Sequence, residues 1–271
     1  MMTLSDGKSI ILFRSHDNPH IARNRIEILR HFNPEIPIHV AFGGDDAGAN
    51  GSLVEFAGLV ESFWVYPELR SDRWKWTHGD LIVKAWHREV GKDLDFDFAF
   101  LHEYDLLFSA PLLEVYPNIN NRELSLTACT PFSPGIEKVW AWTSSEVLRP
   151  EFLKFSEHMR KRFGLERQKY VCLGPGSLLS REFMDAWCDQ EEVEVGHDEL
   201  KYPACAEILG FDLVDNGLHV GGLWEYYRLF NCRDHYVTKS MVVDSLKCGG
   251  SRTSFHPVKE DIGVADLLRW V

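Results

Sequence analysis

At residues 96–105 the chain reads FDFAFLHEYD, and its architecture can be worked out from this run. Phe98 to Leu101 is unbroken apolar sequence, which indicates a parallel strand covered on both faces. The strand ends in two acids, Glu103 and Asp105, which point to the same side of an extended chain, with Tyr104 opposite. Open α/β sheets bind ligands beyond the carboxyl ends of their strands. Two carboxylates there repel each other, so the run predicts a cation site, with a plain polar strand exit as the alternative.

Strands and helices alternate before this run and predict an α/β fold. The apolar patterns predict strands over residues 9–14, 37–42 and 62–66 and helices over 20–32 and 78–90. We expect the second strand to end in a flexible acidic loop, Gly43-Gly44-Asp45-Asp46. Together these elements predict a mixed, mostly parallel sheet that is flanked by helices.

The second half of the chain is less regular. We expect a loop at Gly174-Pro175-Gly176-Ser177, a helix that Ser180 caps, and a helix with Pro203 in its first turn and Gly210 just past its end. Further predicted elements are strands over 124–130, 170–173 and 211–214 and a helix over 150–163, with loop-like sequence after Asp215. No repeat or linker interrupts the pattern, which favours one domain over residues 1–271.

The net charge of −12 and the pI near 5.4 argue against non-specific binding to nucleic acid. They do not exclude a phosphate ligand, because a divalent cation and a few basic side chains can hold one. The sequence contains no secretion signal and no stretch that could span a bilayer. The six cysteines show no zinc-like spacing, so we expect reduced, mostly buried thiols in a cytoplasmic protein.

Three segments together resemble the GT-A family of glycosyltransferases. They are the acid-x-acid element Glu103-Tyr104-Asp105, the glycine-containing loop and helix at 174–187, and the late segment Phe255-His256-Pro257-Val258-Lys259. The resemblance implies a GT-A-like, Rossmann-like fold. Residues 1–105 would form the half that binds the nucleotide sugar, and residues 106–271 an irregular acceptor half with a C-terminal loop for metal and phosphate.

The resemblance also assigns a metal site. Asp105 would be the principal ligand, Glu103 would contact the metal or the donor ribose, and His256 would complete the shell. Lys259 would neutralise phosphate. An imidazole ligand favours Mn²⁺ over Mg²⁺. The alternative for His256 and Lys259 is a solvated surface loop.

Further donor contacts are implied at the ends of the first two strands. Arg14, Ser15 and Asp17 would cradle the nucleobase and ribose, with a helix cap as the alternative role of Asp17. Gly43 permits close backbone approach, and Asp45 or Asp46 could bind base or ribose unless these acids form a solvated turn.

Two other side chains are implied contacts of the donor. Tyr104, inside the acid-x-acid element, would lie against the nucleotide sugar. Lys84, on the helix before the central strand, would face the diphosphate, with a surface lysine as the alternative.

An inverting enzyme needs a carboxylate that deprotonates the acceptor hydroxyl. The resemblance implies such an acid before the Pro203 helix, with Glu199 as the first candidate and Asp198 as the second. Both could instead belong to a solvated acidic turn, and a retaining enzyme would not need this base. Aromatic side chains outside the core pattern could stack on sugar rings or could belong to the core. These are Trp74, Trp76, Trp140, Trp142, Trp224, Tyr226 and Tyr227.

These observations predict a metal-dependent glycosyltransferase that moves a sugar from a nucleotide sugar, with a UDP-sugar favoured, to a hydroxyl of a carbohydrate or other acceptor. One alternative is a sugar-phosphate nucleotidyltransferase, which is weakened because Ser15-His16-Asp17-Asn18 contains no glycine. The other is a carbohydrate-binding relative without catalysis, which would need neither Mn²⁺ nor Asp105.

Overall fold

A computed structural model describes residues 1–219, 229–232, 235–248 and 252–269, apart from the side chains of residues 46 and 47. The strands in these ranges are β1 Ser9–Ser15, β2 Ile38–Phe42, β3 Ser62–Val65, β4 Phe98–Glu103, β5 Leu107–Phe108, β6 Glu123–Pro131, β7 Tyr170–Ser180, β8 Asp212–Asp215 and β9 Ser254–Phe255.

The helices are distributed along the whole chain. They are α1 Pro19–Phe32, α2 Asp46–Phe56, α3 Asp72–Thr77, α4 Gly79–Glu89, α5 Leu112–Val115, α6 Pro134–Val139, α7 Ala141–Ser144, α8 Arg149–Phe163, α9 Arg181–Cys188, α10 Asp198–Leu209, α11 Lys239–Lys247 and α12 Val264–Leu268. Within the described ranges, none of them is long and apolar enough to cross a lipid bilayer.

The main sheet has the strand order β3-β2-β1-β4-β7-β6-β8 among the residues that the structure describes. Its pairs are parallel except where β7 runs antiparallel to β4 and β6. This confirms the predicted mixed, mostly parallel sheet. The chain runs from β1 outward to β2 and β3 and then returns to β4 on the other side of β1. The carboxyl ends of β1 and β4 therefore border a topological switch point, where such sheets bind ligands.

The core lies on both faces of the sheet because side chains alternate along each strand. On β1, Ile11 and Phe13 pack with α1 and α2, whereas Ile10 and Leu12 pack with α4, α9 and α10. All four side chains are fully buried or nearly so. The switch point between β1 and β4 thus rests on strands that are held from both sides.

One loop prediction holds in a shorter form and one is wrong. Gly43, Gly44 and Asp45 lie between β2 and α2, and Asp45 is the N-cap of α2. The expected loop at residues 174–177 lies inside the long strand β7. The register between β6 and β7 shifts across this stretch and Gly176 has a φ of 79°, so glycine here marks a bulge within a strand.

The helix near Pro203 begins earlier than predicted, at Asp198. Pro203 therefore lies inside α10, where proline removes the N–H that would bind the carbonyl of Glu199. The thiol of Cys172 donates to that carbonyl at 3.5 Å instead. Gly210 ends the helix in the left-handed conformation, as predicted.

The segment after Asp215 is less loop-like than predicted, since it contains α11 and α12. Buried hydrogen bonds attach it to the first half. Arg25 donates to the carbonyls of Val258 at 2.8 Å and Glu260 at 2.9 Å. The N–H of Val258 donates to the carbonyl of Asp105 at 2.8 Å. These contacts bring the late segment to the carboxyl end of β4.

The six cysteines are free thiols, and the expectation that most are buried is met only in part. Two are buried, two are half-buried and two are exposed: Cys172 and Cys188, Cys129 and Cys205, Cys232 and Cys248.

Candidate active site

A cavity of about 480 Å³ opens at the carboxyl ends of β1 and β4. The N-terminus of α10, the middle of β7, helices α3 and α7 and the late segment close its sides. Most of the predicted site residues line it: Arg14, Ser15, Glu103, Tyr104, Asp105, Asp198, Glu199, His256 and Lys259.

Glu103, Asp105 and His256 form a cluster with metal-ligand character. One ligand atom from each lies within 4.8 Å of the others. His256 Nε2 is 3.5 Å from Asp105 Oδ1 and 3.7 Å from Glu103 Oε2. His256 Nδ1 donates to the carbonyl of Asn231 at 2.6 Å, because a carbonyl can only accept. The same bond leaves the Nε2 lone pair of the neutral ring for a metal, so the three residues fit a divalent cation.

The charges in this cluster depend on one another. Burial alone would raise the pKa of Asp105, but His256 and Lys259 bring the pKa below its usual range. Burial alone would lower the pKa of His256, but Asp105 and Glu103 raise it. Lys259 Nζ lies 4.0 Å from Asp105 Oδ2. Asp105 is therefore ionised and faces positive charge across gaps longer than a hydrogen bond, whereas Glu103 is bound directly to Arg14.

A second acid pair, Asp198 and Glu199, lies at the first turn of α10. Asp198 Oδ1 is 2.6 Å from His197 Nδ1, and Arg14 donates to Asp198 Oδ2 at 3.3 Å. Burial opposes ionisation of Asp198, but His197 and Arg14 lower its pKa well below the usual range. Burial alone would lower the pKa of His197, and Asp198 raises it. The two therefore form a buried ion pair.

Glu199 has a different environment from its neighbour. The indole Nε1 of Trp142 donates to one carboxylate oxygen at 2.6 Å, and the N–H of Gly174 donates to the other at 3.0 Å. Burial raises the pKa of Glu199 although His197 and Trp142 oppose this. Glu199 is thus the more basic of the two acids.

Arg14 joins the two acid pairs. Its guanidinium is bound to Glu103 and to Asp198, and its side chain is only 13% exposed. Arg14 and Glu103 are register partners on β1 and β4, so strand pairing itself sets the first contact. One guanidinium therefore separates the metal-type cluster from the α10 acids.

Three predicted donor contacts lie outside the cavity lining. Asp17 is exposed and accepts from the N–H of Asn18. Asp45 caps α2 and accepts from the N–H of Gly48 at 2.7 Å. Gly43 is buried, and a side chain there would meet Ile82. Ser15 does line the cavity.

Lys84 is directed away from the cavity. Its ammonium donates to the carbonyls of Gln190 at 2.6 Å and Glu191 at 3.4 Å. A different lysine, Lys75 of α3, lines the cavity with a side chain that is 7% exposed and an ion pair to Asp72 at 3.2 Å. The sequence analysis does not predict a site role for Lys75. Its position between Trp74 and Trp76 is a local signal that could have indicated one.

The aromatic candidates also fall into two groups, those that line the cavity and those that do not. Trp76, Trp140 and Trp142 line the cavity, whereas Trp74 stacks on Tyr66 at 5.6 Å outside it. Trp224, Tyr226 and Tyr227 lie outside the described residues.

No protein-family model matches this sequence, and no curated protein matches it. Solved structures do match. One is the bifunctional glycosyltransferase WbbM in its apo form, at 12% identity and a TM-score of 0.40, which covers 79% of this chain and 39% of the WbbM chain. This chain thus spans well under half the length of WbbM.

Two further solved structures are similar at comparable levels. The galactosyltransferase LgtC, in complex with donor and acceptor sugar analogues, matches at 11% identity and a TM-score of 0.42, over 87% of this chain and 77% of LgtC. The 4-diphosphocytidyl-2C-methyl-D-erythritol synthase matches at 14% identity and a TM-score of 0.42, over 81% of this chain and 94% of the synthase.

Proposed function

We propose that this protein is a metal-dependent glycosyltransferase of the GT-A type, which moves a sugar from a nucleotide sugar, with a UDP-sugar favoured, to a hydroxyl of a carbohydrate acceptor. The convergence of Glu103, Asp105 and His256 beyond the end of β4 carries the proposal. These ligand atoms come from distant parts of the chain and meet at the topological switch point, where a nucleotide is expected.

The donor set fits a divalent cation with two carboxylates and one imidazole, a combination that favours Mn²⁺. When bound, the cation supplies positive charge that stabilises the leaving diphosphate. Lys259 lies beside Asp105 and can neutralise a phosphate oxygen. Lys75 lines the same cavity and adds a second positive charge.

Glu199 is the proposed general base. Its carboxylate would take the proton of the acceptor hydroxyl while that oxygen bonds to the anomeric carbon and the bond from this carbon to the phosphate oxygen breaks. Asp198 suits this role less, because His197 and Arg14 hold its pKa far below the working range of a base. The raised pKa of Glu199 favours proton uptake.

A panel of donors tests the proposal. The protein is incubated with Mn²⁺ and separate UDP-, GDP- and other nucleotide sugars, and release of free nucleotide is measured for the wild type, Asp105→Ala and Asp95→Ala. Asp95 is the matched control, an exposed aspartate paired with Lys8 outside the cavity.

We expect release from one donor, which Asp105→Ala abolishes and Asp95→Ala leaves unchanged. A lack of both nucleotide release and metal-dependent nucleotide binding would overturn the proposal and favour a sugar-binding protein without catalysis. Pyrophosphate release from a nucleoside triphosphate in the presence of a sugar phosphate would favour the nucleotidyltransferase.

A further inference from the structure

The cavity wall next to the α10 acids is aromatic. Trp76 and Trp142 are stacked, with ring centroids 6.1 Å apart and an interplanar angle of 21°. The ring of His197 lies 4.8 Å from Trp76 and 5.1 Å from Trp142. We call these three side chains the aromatic shelf.

The members of the shelf differ in exposure. Trp142 is buried at 2%, whereas Trp76 is 49% exposed although it lines the cavity. Because about half of the Trp76 side chain is exposed, much of its apolar surface lies in water and is available to a ligand. Trp76 contacts Trp142 and His197 on the protein side and leaves the rest of its indole to a ligand.

The shelf is connected to the proposed base. Trp142 donates its indole N–H to Glu199 at 2.6 Å, and His197 is paired with Asp198. Arg14 then links Asp198 to Glu103 at the metal-type cluster. The contacts thus run from the shelf through the α10 acids and Arg14 to the metal-type cluster. Among the described residues, no hydrogen bond, ion pair or ring contact joins the shelf directly to the metal-type cluster, so the two can hold different parts of a bound complex.

The chemistry of the shelf restricts its ligand. Beside the indoles the cavity presents the carboxylate of Glu199, so a ligand with both an apolar face and hydroxyl groups fits this wall better than an entirely apolar one. A saccharide has a C–H face that stacks on an indole and hydroxyls that bind polar neighbours.

We propose that the aromatic shelf is a saccharide-binding subsite and that, given the proposed function, it holds the acceptor. The C–H face of one sugar ring lies against Trp76, and a hydroxyl of the ligand faces Glu199. Binding of a saccharide at Trp76 does not itself require transfer, so the two proposals can be tested separately.

The experiment uses the full chain on an array of neutral and acidic glycans, followed by saturation-transfer NMR titration with the strongest binder. Trp76→Ala removes the stacking face, and Trp76→Phe keeps an aromatic ring. Trp64→Ala is the matched control, because Trp64 is a half-buried tryptophan outside the cavity lining. Circular dichroism and thermal melts check that each variant is folded.

We expect Trp76→Ala to weaken glycan binding by about tenfold or more, Trp76→Phe to weaken it less, and Trp64→Ala to leave it unchanged. Three results would each overturn the inference: no glycan binds the wild type, folded Trp76→Ala binds as well as the wild type, or Trp76→Ala weakens binding of UDP with Mn²⁺ as much as binding of glycan. The last result would assign the shelf to the nucleotide.

The outcomes also separate this inference from the proposed function. If no donor releases nucleotide but glycan binding depends on Trp76, the saccharide subsite stands and the transferase proposal fails. If a donor is cleaved with Mn²⁺ and glycan binding is insensitive to Trp76, the reverse holds.

Discussion

Two acid pairs line the same cavity, but they differ in how completely protein groups surround and bind their carboxylates. Glu103 and Asp105 form the open acid pair, with side chains that are 22% and 12% exposed. The nearest atoms of His256 and Lys259 stand 3.5–4.0 Å from them. Oε1 of Glu103 is bound to Arg14, whereas its Oε2 and the oxygens of Asp105 face these groups across gaps that exceed a hydrogen bond and keep lone pairs for a ligand.

Asp198 and Glu199 form the closed acid pair. One oxygen of Asp198 is paired with His197 at 2.6 Å, and the other Asp198 oxygen and both Glu199 oxygens accept from Arg14, Trp142 and Gly174 at 2.6–3.3 Å. Protein donors here replace the water that burial removes, which keeps these acids in fixed positions.

One acid pair lies at the end of a strand and the other at the start of a helix. The contrast shows that similar acids are suited to different roles because the groups around them differ. The open acid pair is suited to bind a cation, because Asp105 and one oxygen of Glu103 meet positive charge only across gaps of 3.5–4.0 Å. In the closed acid pair, His197 and Arg14 balance the charge of Asp198, and Trp142 and Gly174 hold Glu199 in position, which suits Glu199 as a base. Arg14 contacts both pairs, so substitutions at either pair or at Arg14 test the distinction between them.

The largest expected effect is on metal binding at the open acid pair. Asp105→Asn should lower affinity for Mn²⁺ by about 100-fold or more, because it removes the principal charged ligand. Asp198→Asn, at the closed acid pair, should lower it far less. Isothermal titration with Mn²⁺ alone measures both. Equal losses for the two variants would contradict the distinction between the pairs.

The next effect is on the stability of the protein and concerns Arg14, which links the two acid pairs. Arg14→Met should lower the free energy of unfolding by roughly 2–3 kcal/mol, because Glu103 loses its ion pair and buried Asp198 keeps only His197. Urea denaturation measures the loss. Arg23→Met is the control, since Arg23 pairs with Glu27 and Glu55 while 43% exposed and should cost at most about 1 kcal/mol. An equally small loss of stability for the Arg14 and Arg23 variants would show that the ion pairs of Arg14 are not needed for stability.

Glu199→Gln tests the base while keeping the shape of the closed acid pair. With the donor and acceptor that the panels identify, we expect transfer to fall by about 100-fold, because the proton acceptor is lost. Affinity for Mn²⁺ should change little. Steady-state kinetics and metal titration separate the two quantities. Transfer within a few fold of the wild type would exclude Glu199 as the base.

The smallest effect is the pH dependence of the His197–Asp198 ion pair. The pKa of His197 is raised, so its contribution to stability is present below the unfolded value, about 6.5, and is lost as pH rises through the folded pKa. The pKa of Asp198 is lowered, so its contribution is present above about 3.9 and is lost as pH falls through the folded pKa.

His197→Gln should therefore destabilise the protein most between about pH 4 and 6.5, by about 1–2 kcal/mol, and progressively less at alkaline pH. Urea denaturation of the wild type and the variant at pH 5 and pH 9 measures this difference. A cost that does not change with pH would mean that His197 acts by packing alone.

Local patterns predicted much of the fold. The apolar run before Glu103 and the strand and helix patterns of the first 105 residues agree with β1 to β4, α1 and α4. The predictions failed where Gly and Pro carried the inference, at residues 174–177 of β7 and at Pro203. An irregular strand pairing accommodates the first stretch, and the Cys172 thiol binds the carbonyl that Pro203 leaves free; such partners are not visible in a local pattern.

The predicted acids divide into those that line the cavity and two, Asp17 and Asp45, that do not. Glu103, Asp105, Asp198 and Glu199 all line the cavity, as does His256, which the family resemblance singled out. Lysines were less certain, since Lys84 binds two backbone carbonyls away from the cavity. A helix pattern indicates which face is polar but not which polar group a flexible side chain will reach.

By itself the sequence determined the α/β alternation, the buried strand β4 and the presence of acids at its exit, because these follow from side-chain period and backbone preference over a few residues. Only the tertiary structure decided which acids are open and which are closed. Register set Arg14 opposite Glu103, and Arg25 holds the late segment that carries His256 near Asp105. The charge and hydrogen bonding of a carboxylate depend on such distant partners and on burial, and folding alone brings them together.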